Sequence, residues 1–191
     1  MRNRTLTVCT IDIGCGPTRD PRADFGMDFY AYPGATLVHD ATVFPWPIPG
    51  ASFDGAVSHQ MIEHIPQGDS VAGQDVIFRF FDEVWRVLRP GATFAFDVPH
   101  VRSRAANCDL THRRFLNEQA FTILWTPGRD PLCPRRTWEL VECRVDRWYG
   151  WGWVNTWHFQ KYLPRVDRIL CWWRIGAIHD IRVTIRKPRR T

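Results

Sequence analysis

The sequence is short of lysine (two among 25 basic residues), has no cysteine pair spaced as CxxC, and has no apolar run near the length of a membrane span. The missing apolar run excludes a spanning helix, which needs roughly 18 or more such residues. Arg2 and Arg4 stand before a short apolar stretch that Asp12 interrupts, which argues against a secretory leader. Cysteines 9, 15, 108, 133, 143 and 171 form no metal-binding or disulfide spacing. A chain of 191 residues can build its own core, so the expectation is reduced thiols, a cytoplasmic protein and no zinc site. Internal repeats, low-complexity segments and linkers are also missing, so residues 1–191 read as a single domain.

What is there is globular in composition: 45% hydrophobic and 24% charged residues exclude a disordered or fibrous chain. Charge is uneven. Residues 1–95 hold seven basic against eleven acidic side chains, and residues 96–191 hold eighteen against nine. The second half is thus able to face an anionic partner, although an arginine-rich solvated surface explains the bias equally well.

Thr5–Ile13 is rich in strand formers and breaks at Gly14-Cys15-Gly16-Pro17, a strand entering a tight glycine turn. Further strands are expected at Phe25–Asp28, Thr36–His39, Phe53–Ser58 and Thr93–Val98, with a rigid surface loop at Pro45-Trp46-Pro47 and Pro49-Gly50. Ser70–Leu88 is the strongest helix: Ile77, Phe80, Phe81, Val84 and Leu88 share a face. Asp69 or Ser70 would cap it, and Arg89-Pro90-Gly91 would end it. Beyond Pro99, Val101–Leu110 reads as irregular, Glu118–Leu124 as a short helix, and Trp138–Trp148 and Ile181–Arg186 as strands. Strands alternating with helices predict an α/β layer fold with a mostly parallel sheet.

In such sheets ligands sit beyond the carboxyl ends of the strands. Gly14 and Gly16 close the first strand, Asp28 the second, Asp40 the third, and Ser58-His59-Gln60 the fourth. A glycine turn or a strand-end carboxylate taken alone is most often just a turn former. Together they describe a nucleoside pocket, with one acid for the ribose hydroxyls and another for an amino or cationic group. A phosphate-cradling GxGxxG is incomplete, because Arg19 stands where the third glycine would be.

These blocks resemble a class I, Rossmann-like S-adenosylmethionine-dependent methyltransferase over roughly residues 5–125. The resemblance rests on Ile11-Asp12-Ile13-Gly14-Cys15-Gly16, Gly26-Met27-Asp28 and Val38-His39-Asp40-Ala41, together with the Pro45-Trp46-Pro47 segment. It continues in Ser52-Phe53-Asp54, in Ser58-His59-Gln60-Met61-Ile62-Glu63-His64-Ile65, and in Glu83-Val84-Trp85-Arg86-Val87-Leu88-Arg89-Pro90-Gly91. Asp109-Leu110-Thr111-His112-Arg113-Arg114-Phe115 is similar to a segment of some small members, which carry proline at position 110.

The resemblance implies a Rossmann-like seven-stranded, mostly parallel sheet flanked by helices, with the last strand inserted antiparallel. Residues 1–98 would be the cofactor-binding half and residues 99–191 the substrate side. Asp12, Gly14, Cys15 and Gly16 would hold the methionine part of S-adenosylmethionine, Asp28 the ribose, Asp40 and Ala41 the adenine. Ser58, His59 and Gln60 would border the sulfonium. A carboxylate ~4 Å from such a charge gains about 1 kcal/mol in water and several-fold more in a partly buried cleft.

Only Pro17–Phe25 separates Gly16 from Gly26, less than the roughly 10–12 residues of a full crossover. The first crossover is therefore shortened, its helix a single turn or missing. His100, Asp109 and His112 follow the fifth strand and are the candidate catalytic bases, with His59 another. A surface or capping role is the plain alternative for each histidine. The same trio lacks tight metal-ligand spacing, so no metal is expected. Glu63-His64 reads as packing.

The acceptor is open: a small molecule, a glycan or a protein side chain. Base chemistry is disfavoured because Ser58-His59-Gln60-Met61 replaces the Asn/Asp-Pro-Pro-Tyr tetrad and no Pro-Cys nucleophile follows the fourth strand. Two other readings stand beside methyl transfer. One is a related scaffold without turnover, suggested by the short crossover. The other is nucleic-acid binding through the basic half and its aromatic stretch Trp148-Tyr149-Gly150-Trp151-Gly152-Trp153, which equally well covers a sheet face.

Overall fold

A computed structural model describes residues 9–68, 75–125, 137–148 and 177–189. Seven strands form one sheet: β1 (Thr10–Ile13), β2 (Phe25–Asp28), β3 (Leu37–Val38), β4 (Phe53–His59), β5 (Leu88–Pro99), β6 (Glu139–Trp148) and β7 (Ala177–Arg186). Their spatial order is β3-β2-β1-β4-β5-β7-β6. The first five are parallel, and β7 runs antiparallel between β5 and β6. Strand order reverses between β1 and β4, so a crevice opens at their carboxyl ends.

Helix α1 (Val76–Val87) covers the sheet centre with Val76, Ile77, Phe80, Phe81, Val84 and Val87 buried. Its cap is Asp75, whose side chain accepts from Ile77 N; the caps expected at Asp69 or Ser70 lie outside the described residues. The stop expected at Arg89-Pro90-Gly91 is displaced. Leu88 is already extended and pairs with Phe53, so the chain passes straight from helix into strand. Phe81 and Phe96 pack against each other, and both meet Trp125 edge-on. Phe121 joins them from α3 (Glu118–Leu124), the short helix expected there.

Two expectations are corrected. Val101–Leu110 is not wholly irregular: α2 (Arg104–Cys108) forms there because Ser103 caps it, accepting from Ala106 N. The Pro45–Pro49 segment keeps its prolines and Gly50 exposed, as a surface loop would, but it buries Trp46 and Ile48. Trp46 N donates to Glu83 Oε1 at 2.7 Å and its indole N–H to Ala41 O at 3.1 Å, which pins the segment between the sheet and α1.

No helix joins β1 to β2, as the short connection predicts. The stretch 148–153, Cys133 and Cys171 lie outside the described residues, apart from the backbone of Trp148. Among the described residues no helix is long and apolar enough to cross a membrane.

Candidate active-site cavity

A cavity of about 650 Å³ lies at the carboxyl ends of β1, β2, β3 and β4. Gly14, Asp28, Asp40, Ala41 and Gln60, five of the expected cofactor residues, line it. Gly14 holds φ +74°, and a Cβ there would collide with the Met61 side chain, so only glycine fits. Asp28 accepts from Gly16 N at 2.8 Å through Oδ2 and from Tyr30 N at 2.9 Å through Oδ1. It thereby fixes the turn that it closes. Asp40 Oδ1 accepts from Thr42 N and Thr42 Oγ1 at 2.8 and 2.7 Å.

The other expected cofactor residues stand behind this lining. Asp12 is buried and accepts from Asp20 N at 2.8 Å; burial raises its pKa. Cys15 is buried and its thiol is pushed up to about 11, chiefly by desolvation. Gly16 contributes its N–H to Asp28. Ser58 Oγ is buried and donates to Ile13 O at 2.8 Å, which joins β4 to β1.

His59 turns away from the cavity lining. Its Nδ1 meets Asp97 Oδ1, and its Nε2 meets Asp20 Oδ2 at 2.9 Å. The hydrogen bond to Asp97 is the main reason its pKa rises to about 9. Asp20 is held below the ordinary carboxylate range, first by Arg22. This clasp ties the loop after β1 to the end of β5 in the place where a crossover helix is missing.

Of the candidate bases His112 and Asp109 lie 3.8 Å apart, and His100 has a separate set of partners. His100 is buried, with Nε2 on Glu118 Oε2 at 3.0 Å and Nδ1 accepting from Arg102 N. The His112 side chain is 7% exposed and lies 3.9 Å from Glu63, with Nδ1 on Ala106 O. Asp109 is exposed and shapes the turn that presents Thr111. The trio does not converge on the cavity. The imidazoles that face it are His39 and His64. Burial lowers the pKa of His64.

Several lining residues were missed from the sequence: Phe29, Tyr30, Tyr32, Met61 and Thr111. The exposed aromatics directly after Asp28 were the available signal, since large apolar groups at a strand tip have no core to enter. Asp20 and Asp97 gave none, because their meeting through His59 depends on strand order.

A family model described as "Methyltransferase domain" matches residues 28–96. Among solved structures, a SAM-dependent methyltransferase from Archaeoglobus fulgidus is 14% identical, with 94% of this chain and 86% of that one covered and a TM-score of 0.59. A methyltransferase from Mesorhizobium loti is 15% identical over 94% of this chain and 90% of its own, at 0.54. The cyclase SpnF is 16% identical over 96% and 75%, at 0.53. No curated protein matches significantly. Residues 28–96 are thus similar to a methyltransferase domain, and the seven-stranded, mostly parallel sheet has the Rossmann-like fold of the S-adenosylmethionine-dependent methyltransferases among those structures.

Proposed function

We propose that the chain binds S-adenosylmethionine in the carboxyl-end cavity and transfers its methyl group to a small-molecule or macromolecular acceptor. The observation that carries this reading is the convergence of Gly14, Asp28, Asp40 and Ala41 on one cavity from three different strand ends. The volume suits a nucleoside-sized ligand, and the lining chemistry fits it. The backbone at Gly14 leaves room for the amino-acid end, Asp28 suits vicinal hydroxyls, and Asp40 with Ala41 suits an amino-purine. Tyr30 and Phe29 stand exposed beside them, able to cover a flat ring.

When bound, the cofactor supplies a methyl group activated by a sulfonium. The chain's own contribution is then alignment, which is worth roughly 7–11 kcal/mol when reacting atoms are held in line. Gln60 takes a left-handed conformation (φ +47°) while Nε2 donates to Asp97 Oδ2 at 2.7 Å, so its backbone is fixed at the tip of β4. With Met61, His64 and Thr111 it forms the wall on which an acceptor would rest. The reading needs no general base.

The test is calorimetric titration of the purified chain with S-adenosylhomocysteine, followed by turnover on acceptor panels of amines, hydroxyl compounds, glycans and peptides. Saturable binding with one equivalent per chain supports the proposal; absence of binding overturns it. A fold neighbour is a [4+2]-cyclase, so one second reading is a chain of this fold that does not transfer methyl groups. Tight binding with no turnover on any acceptor would select it.

A further inference from the structure

Glu63, His64 and His112 lie outside the nucleoside end of the cavity. They occupy the 3-10 turn Ile62–His64 after β4 and the segment following α2. The sequence keeps the two parts far apart, and backbone ties bring them together. Arg113 N and Arg114 N both donate to Glu63 O, at 2.8 and 3.0 Å. Arg114 also reaches Ile65 O, Pro66 O and Asp75. The segment is therefore clamped so that the His112 and His64 rings meet edge to face, 4.7 Å between centroids.

Hydrogen bonding fixes what these rings can offer. His112 Nδ1 lies 3.0 Å from Ala106 O, a carbonyl that can only accept, so Nδ1 carries the proton and Nε2 is left as a lone pair. Thr111 Oγ1 donates to Asp109 Oδ1 at 2.6 Å, so it accepts from His64 Nδ1–H at 3.0 Å, and His64 too keeps a lone pair. The Glu63 side chain is 1% exposed, and neither carboxylate oxygen has a hydrogen-bond partner. His112 Nε2 lies 3.9 Å from Glu63 Oε1, too far for a shared proton. Two imidazole lone pairs and a buried carboxyl group without a hydrogen-bond partner thus converge, a set of ligand atoms that a cation would satisfy.

The spacing suits a metal. Two ligands each ~2.1 Å from one ion stand roughly 3.4–4.2 Å apart. The Glu63–His112 pair, at 3.9 Å, is inside that window, and the three ligand atoms, all within 4.8 Å of one another, would close by up to about 0.6 Å on an ion. The carbonyl and the hydroxyl–carboxylate relay on the Nδ1 atoms are the outer partners that orient metal-bound histidines. We infer that Glu63, His64 and His112 bind one divalent transition-metal ion of the zinc class, with Asp109 Oδ2, 3.8 Å from His112 Nε2, placed to complete the set. This site replaces the His100–Asp109–His112 grouping considered from sequence. It stands whether or not the chain transfers methyl groups.

Cobalt(II) is the probe, added to the full chain after chelator stripping and dialysis, with zinc(II) as competitor. The expected result is one equivalent bound, a visible absorption band without thiolate charge transfer, and displacement by zinc. His112→Ala and His64→Ala should each weaken binding at least about tenfold, while His179→Ala, outside the site, leaves it unchanged. Circular dichroism checks each variant. Should His112→Ala unfold, His64→Ala, at the cavity wall, carries the test. No bound cobalt, a thiolate charge-transfer band, or parental affinity in the folded histidine variants would overturn the assignment.

Discussion

Asp28 does two jobs with one carboxylate. It accepts from Gly16 and Tyr30 backbone N–H groups, and it presents the same group to the cavity. Replacing it with alanine removes a charged acceptor from any bound ribose and loosens the glycine turn together. Asp28→Ala should weaken S-adenosylhomocysteine binding by about 1–3 kcal/mol in calorimetry; unchanged affinity would move the ribose site elsewhere. This residue was legible in the sequence only in company, because Gly14, Gly16 and Asp40 close neighbouring strands in the same way. Ser58 was not legible in the same way. It was read as bordering the ligand, but its hydroxyl is spent on Ile13 O, a partner that becomes visible only once β1 and β4 are neighbours.

At the scale of elements, the β1–β2 connection lacks a helix, and the Asp20–His59–Asp97 clasp takes over its anchoring role. The proton on His59 is held more tightly in the folded chain, about 9 against an ordinary 6.5, chiefly through Asp97, with Asp20 and Asp12 adding their charges. Stability from this clasp is therefore complete below pH 6.5 and drains away as pH climbs through about 9. Urea-unfolding midpoints followed from pH 6 to pH 10 should fall more steeply for the parent chain than for His59→Ala. Parallel curves would show that the clasp contributes nothing. The missing helix was readable from chain length alone. Its replacement was not, because the clasp joins residues from three separate elements.

At the scale of the whole molecule, the mostly parallel sheet was the most legible property. Gly14, Asp28 and Asp40 mark the ends of the first three strands, and the observed order puts those ends on one edge. The Trp46 plug was less legible, because prolines on either side mark a rigid segment without saying which way it faces. Lys187, one of two lysines, closes the structure from the far end. It is buried, its Nζ donates to Trp85 O and Leu88 O at 2.8 and 2.7 Å, and it lies 3.6 Å from the Trp85 ring centroid. Lys187→Met should cost about 2–3 kcal/mol in equilibrium unfolding, because carbonyls at the α1 terminus lose a charged donor. A loss below about 0.5 kcal/mol would mean that water satisfies them instead.

The placement of β7 between β5 and β6 also bears on how the chain is made. As the polypeptide leaves the ribosome, β5 emerges with one bare edge, and β6 follows with nothing to pair with. Both wait for β7, which is translated after them, and until it arrives their open edges invite pairing with other nascent chains.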